Sequence, residues 1–185
     1  MNNSSLTLPK VLKRSIVACS QFFKIETLQL KFSNGEERDF ERMQGGRPAV
    51  LVVPFYNDNT LLLIREYAAG THTYELGFPK GLIDAGESPV EAANRELKEE
   101  VGFGAKEFIE LKKVVMAPSY FSSEMTLFMA KDLYVESLPG DEPEPLEVIK
   151  WPLDKIEELL TRDDFRESRS ITALLWVIKN QLNNK

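Results

Sequence analysis

The chain has 185 residues, 43% hydrophobic and 28% charged, the make-up of one globular domain with a short appendage. One cysteine, Cys19, excludes an intramolecular disulfide and a multi-cysteine zinc site, and one histidine, His72, excludes a multi-histidine site. The formal net charge of −6 opposes encounter with a bare phosphate backbone, so a phosphate-bearing ligand needs a cation or a local arginine cluster to offset it.

Met1 to Lys10 is polar, without an apolar core of signal-peptide length, and no stretch approaches about 18 uninterrupted apolar residues, which together predict a cytoplasmic chain. The first half reads as strands. Ile25 to Phe32 alternates, Asn34-Gly35 marks a turn, and Arg38 to Met43 returns as the second arm of a hairpin. Ala49 to Phe55 is a continuous apolar run, as expected of a strand buried on both faces, and Leu61 to Tyr67 is another strand beyond Asn57-Asp58-Asn59. Thr71 to Gly86, broken by Gly77, Pro79 and Gly81, is expected to be mostly loop.

The strongest helix starts at Ser88-Pro89, a cap followed by proline at the first helical position, and stops at Gly102. Phe108 to Met116 and Met125 to Val135 read as strands joined by the Ala117-Pro118-Ser119 turn. Ser137 to Pro145 is a Pro/Gly/acid-rich loop whose acids, Asp141 to Glu144, read as a solvated connection. Val148 to Trp151 is a strand, Leu153 to Leu160 is helical, and Ile171 to Leu182 is an amphipathic helix. Trp151 and Trp176 are expected in the core, Cys19 packed beside Phe22 and Phe23, and His72 at the surface. This order predicts an α/β sandwich on a mixed sheet and not a doubly wound parallel fold.

On the helix, Val90, Ala93, Leu97 and Val101 form an apolar stripe, with Glu96, Glu99 and Glu100 together on the flank. Like charges at these spacings destabilise a helix by roughly 0.2–0.5 kcal/mol per pair, and the dipole disfavours anions in the last turn. A hard divalent cation held by carboxylate oxygens removes that conflict, and Mg²⁺ is bound in this sparse way beside substrate phosphates. A Glu/Lys-rich helix is more often a solvated face. The longer spacing decides against that.

Residues 81 to 103 fit Gly-x5-Glu-x7-Arg-Glu-Φ-x-Glu-Glu-x-Gly-Φ, where Φ is apolar, through Gly81, Glu87, Arg95, Glu96, Leu97, Glu99, Glu100, Gly102 and Phe103. Chance gives such a match at about one start site in 10⁸ or fewer. The segment resembles the Nudix box, the defining motif of the Nudix hydrolases. Gly81 permits a tight loop that brings the backbone close to a metal or phosphates, Glu87 is placed to pair with Arg95, and Gly102 ends the helix so that its acids project at an edge.

The resemblance implies a Nudix-type α/β/α sandwich over 46–185, preceded by an antiparallel strand region over 1–45 that forms a homodimer. It implies a magnesium enzyme, with manganese as the alternative. Glu96 and Glu100 would be the principal metal ligands, Glu99 a further ligand or water-activating carboxylate, and the Lys80 carbonyl the last donor. The run beginning at Leu63, LIREYAAGTHTYELGFPKGLIDAGE, is similar to the ADP-ribose pyrophosphatase branch. Together with SNGEERDFERM, MAPSYFSSEM and GDEPEPLEVIKWPL, it implies hydrolysis of the diphosphate bridge of ADP compounds (ADP-ribose, NADH or short diadenosine polyphosphates) with release of AMP. Arg42 matches an arginine near the adenosine half in that branch and Arg65 one that contacts the diphosphate, with Glu66 beside it as a further substrate contact, and relatives sometimes place an acid from the Asp141 to Glu144 region near the site. Pro118 lies near a branch proline followed by a catalytic loop glutamate, for which Glu124 is the candidate, although Ser119 stands where the branch usually has glycine. Two other readings use the same box: a catalytically silent nucleotide sensor, and an enzyme acting on NAD-type RNA 5′ ends. The intact acids argue against the first, the acidic balance and absence of a basic stripe against the second.

Overall fold

The computed structural model describes residues 6–183; residues 1–5, the start of the polar N-terminal segment, and 184–185 lie outside the described residues. The chain divides into two compact units, Met1–Gly46 with Val115–Ser123, and Arg47–Val114 with Glu124–Lys185.

In the first unit, β1 (Lys10–Cys19), β2 (Lys24–Lys31) and β3 (Glu37–Met43) form an antiparallel meander. At the β2–β3 turn Gly35 adopts φ +88°, open to glycine at no steric cost, and the Asn34 side chain accepts the Glu36 N–H at 3.0 Å. The sequence pattern predicts no strand at β1. Its pairing with β2 slips between Val11 and Lys13 and again between Ile16 and Ala18, and each slip disrupts the two-residue alternation by which a strand is read. Cys19, Phe22 and Phe23, expected to pack, are exposed, as are Val11, Leu12, Ile16 and Val17.

The second unit is built around β4 (Ala49–Asn57), whose continuous apolar run is buried on both faces. Val50 and Val52 pack toward α1 (Pro89–Glu100), while Leu51, Val53 and Phe55 join a second core with α3 (Ser168–Asn183). The sheet is mixed. β9 (Phe121–Val135) runs parallel to β4 from Ala49↔Met125 to Pro54↔Ala130, β5 (Thr60–Ala68) runs antiparallel to it, and β10 (Glu147–Pro152) continues antiparallel on β5. β8 (Phe103–Ala117) pairs with β9 through the expected turn, where Tyr120 N–H donates to the Ala117 carbonyl at 3.0 Å. The result is the expected α/β/α arrangement, a mixed sheet with α1 on one core and α3 on the other.

The segment expected to be loop contains two strands, β6 (Thr73–Gly77) on β5 and β7 (Lys80–Leu82) on β4. Both are too short for hydrophobic periodicity to register. His72 turns the β5–β6 hairpin at φ +52°, exposed as expected. Leu153 to Leu160 splits into a 3-10 turn, Leu153–Lys155, and α2 (Ile156–Leu160), while α3 begins at Ser168 and not at Ile171. Trp151 and Trp176 pack against the α3-side core from its margin, partly exposed.

Candidate active site

Helix α1 is fixed at its start by a capping box. Ser88 Oγ accepts the Glu91 N–H at 3.3 Å, the Glu91 carboxylate accepts the Ser88 N–H at 2.8 Å, and Pro89 occupies the first turn. The helix buries Ala92, Ala93, Glu96 and Leu97, whereas Val90, expected on the stripe, is 44% exposed. The buried face is therefore rotated toward the acids. Measured from Ala92 at about 100° per residue, Glu96 falls near 40°, Glu100 near 80° and Leu97 near 140°. Glu96 and Glu100 thus lie within the arc that the helix turns inward, and Glu99 lies at its edge.

Strand β7 meets that arc. Lys80 N–H donates to Glu100 Oε2 at 2.9 Å, and its ammonium pairs with Glu66. A Cβ on Gly81 would collide with the Glu96 carboxylate. Gly81 is thus required for close approach within a strand, not for the tight loop that its motif position implies. Burial pushes the Glu100 carboxyl up to about 8, and burial also raises Glu96 against the lowering effect of Arg95.

Arg95 is the hub. Its Nε and Nη2 donate to Glu87 at 2.9 and 3.0 Å, Nη2 also to the Leu82 carbonyl at 2.8 Å, and Nη1 to Glu96 at 2.7 Å and Glu99 at 2.9 Å. All five guanidinium hydrogens are used. Hydrogen bonding from Arg95 holds Glu87 below the usual carboxylate range. Among the described residues, no three His, Cys, Asp or Glu side chains converge tightly enough to enclose a metal ion, and Arg95 bridges Glu96 and Glu99. The donor set nonetheless suits a hard cation. It comprises three carboxylates, two of them desolvated beside each other at a helix end where the dipole repels anions.

Gly102, at φ +79°, ends the helix, and the chain after β9 closes over it. Glu136 N–H and Leu138 N–H donate to the Gly102 and Lys98 carbonyls at 3.2 Å each, so peptide N–H groups meet carbonyls at the helix end. Lys98 pairs with Glu136 at 3.0 Å, so the last-turn lysine screens the loop and not the acids. The loop carries Asp141 and Glu142 into the walls of two neighbouring cavities, of about 410 and 250 Å³, that also hold Glu96, Glu99 and Glu100. The larger includes Arg47, Lys80 and Arg95 in its walls, with Arg47 paired to Asp84 at 3.0 Å. The resemblance allowed an acid of the Asp141 to Glu144 region near the site, but which acids face it, and the presence of Arg47, were not legible in the sequence. An acid-rich loop has no periodicity that would fix where it points, and one arginine before a strand carries no spacing signal.

The other expected residues lie elsewhere. Arg65 donates to Glu147 at 2.9 Å and to Asp164 at 2.8 Å, and it lines a separate cavity with Tyr74 and Glu144. Hydrogen bonds from Arg162 and Arg65 hold Asp164 well below the usual carboxylate range. Glu66 is engaged by Lys80. Arg42 belongs to the N-terminal unit, where it donates to the buried Glu26 at 2.7 Å. Glu124 is exposed within β9, not in a loop, and lines neither cavity at α1, because β9 begins at Phe121, four residues before the expected start.

Residues 45–175 match the family described as NUDIX domain, and residues 9–42 match the NudE-type Nudix hydrolase N-terminal domain. The chain is 56% identical over 176 residues to ADP compounds hydrolase NudE of Escherichia coli (strain K12), covering 95% of this chain and 94% of that protein. It is 23% identical over 177 residues to ADP-ribose pyrophosphatase of Bacillus subtilis (strain 168), covering 91% and 94%. A solved structure described as the crystal structure of ADP compounds hydrolase superposes with a TM-score of 0.93 at 54% identity, covering 98% of each chain.

Proposed function

The chain belongs to the Nudix hydrolase family, and from that premise we propose that Glu96 and Glu100 hold a catalytic divalent ion, with Glu99 and the Lys80 carbonyl completing the donor set. The protein is a pyrophosphohydrolase of ADP-containing compounds, and enzymes of this family need divalent metal ions. We take the ion to be Mg²⁺, with Mn²⁺ as the alternative, because the donors are hard oxygens and the ligand is a phosphate. When bound, the ion polarises phosphoryl oxygens and lowers the pKa of a water.

The chain's own groups do the positioning. Arg95 keeps Nε and Nη2 on Glu87 and Leu82, while Nη1, shared by Glu96 and Glu99, is the donor that yields to an incoming cation. Arg47 and Lys80 supply the local positive charge that a diphosphate needs in a chain of net charge −6. Asp141 and Glu142 face the same cavity, and we assign the water-activating base to this pair in preference to Glu124, with Glu99 as the alternative. Arg65 and Glu66 border the site through Glu144 and Lys80, as contacts for the rest of the substrate. The N-terminal unit, residues 1–45 with Arg42, is proposed to dimerise, since Val11, Leu12, Ile16, Val17 and Phe22 are exposed on it. Among the described residues no helix is long and apolar enough to cross a membrane, and we place the enzyme in the cytoplasm.

The observation that carries this reading is the pair of desolvated carboxylates turned inward at the end of α1. The test is a panel of ADP-ribose, NADH, diadenosine triphosphate and NAD-capped RNA assayed with Mg²⁺ for AMP release. Release from the small ADP compounds is expected. Binding of any of them without AMP release would establish a sensor and overturn the assignment.

A further inference from the structure

The acids of the loop after β9 reach the α1 cavities on a stretch with neither helix nor strand, so contacts must set where they point. Its start is tied by the Glu136 and Leu138 amides on the end of α1. Its end is tied where Leu146 packs on the α1-side core and Glu147 enters the ladder opposite Arg65. Between these anchors, Glu144 accepts a hydrogen bond from the Tyr74 hydroxyl of β6. Glu144 lines the cavity that holds Glu96, Glu99 and Glu100, and also the one that holds Arg65 and Tyr74, so it stands on the wall between them.

The Tyr74 ring is itself held. Tyr67, opposite it in the β5–β6 ladder, meets it edge-on with ring centroids 5.8 Å apart, and the Tyr67 hydroxyl is 2.8 Å from His72 Nδ1 at the hairpin turn. A rigid aromatic with two side-chain torsions on a strand thus reaches across to a segment without regular structure, at little cost in conformational entropy.

We propose that Tyr74 and Glu144 form a latch that positions Asp141 and Glu142 over the acids of α1, which makes Tyr74 a positioning residue for the reaction proposed above. The inference rests on that reading of the site. Tyr74 is 48% exposed and Glu144 is exposed, so their bond adds little to global stability, and its effect is local.

The experiment joins hydrogen exchange and steady-state kinetics on the full chain with ADP-ribose and Mg²⁺. In Tyr74→Phe, the amides of Gly140, Asp141, Glu142 and Glu144 exchange about tenfold faster, and kcat falls about tenfold with KM within about twofold, while the Tm moves by no more than about 1 °C. Glu144→Gln, whose amide oxygen accepts the same hydrogen, stays within about twofold of wild type. The Tyr74→Phe/Glu144→Leu double variant is no slower than the worse single variant. Unchanged exchange in Tyr74→Phe, faster exchange with unchanged kcat, or additive losses in the double variant would each overturn the latch. Should the wild type release no AMP, the reading of the site fails by itself, and unchanged exchange in Tyr74→Phe still overturns the tie.

Discussion

Two sets of acids face the same cavities, and they are held in opposite ways. Glu96, Glu99 and Glu100 ride on a helix capped at its start and buried through Ala92, Ala93 and Leu97; Arg95 clamps Glu96 and Glu99, and the Lys80 N–H holds Glu100. Their positions follow from helical geometry alone. Asp141 and Glu142 ride on exposed coil, near the point where Glu144 accepts a hydrogen bond from Tyr74 of β6. The first set has the fixed placement that suits the metal site proposed for it, and the second lies on solvent-exposed coil, which suits the proton-transfer role proposed for it.

The largest test of that division falls on the rigid set. Glu96→Gln and Glu100→Gln should each lower turnover by about 10³-fold or more, as loss of a preorganised electrostatic group does, with the circular dichroism spectrum unchanged. On the loop set the loss should be smaller. Asp141→Asn or Glu142→Gln should reduce kcat by about 10- to 10²-fold, the range of a general base with a neighbour able to substitute, whereas Glu124→Gln should stay within about twofold. A larger loss in Glu124→Gln than in either loop variant would move the base to β9.

The pH dependence sharpens the same contrast. Burial lifts Glu100 from its ordinary 4.5 to about 8, so without metal the folded chain holds this proton more tightly than the unfolded chain does. Its contribution to stability is therefore fully present below about 4.5 and is lost as the pH rises toward 8. A divalent ion bound at the proposed site would take the proton's place. Apparent metal affinity should rise about tenfold per pH unit up to about 8 and then level, and Mg²⁺ should flatten the fall in denaturation midpoint between pH 5 and 8. A midpoint that climbs over this interval without metal would contradict the burial of Glu100. The smallest effect is at the cap. Ser88→Ala should cost about 1 kcal/mol and lower the Tm by about 2–4 °C, measured by thermal melting, with little change in kcat.

What the sequence disclosed follows the same line. Spacing along α1 is a one-dimensional record of a rigid object, so the box, the Ser88 cap, the Gly102 stop and the Glu87–Arg95 pair could be read directly. The continuous run of β4 likewise announced a strand buried on both faces. The positions of Asp141, Glu142 and Arg47 depend on tertiary contacts that leave no period in the chain. β6 and β7 are too short to show alternation, and the two slips in β1 scrambled its own. The rotation of α1 that buries Glu96 in place of Val90 was hidden because a carboxylate on an inward face reads as a misfit until β7 brings Gly81 and Lys80 against it.

The most direct measurement is calorimetric titration of Mn²⁺ into the wild type and into Glu96→Gln, Glu100→Gln and Glu124→Gln, with no substrate present. Saturable binding weakened at least about tenfold by each α1 substitution, and unaffected at Glu124, is the predicted result. Equal binding by the wild type and the two α1 variants would show that the inward-turned carboxylates of α1 are not where the ion sits.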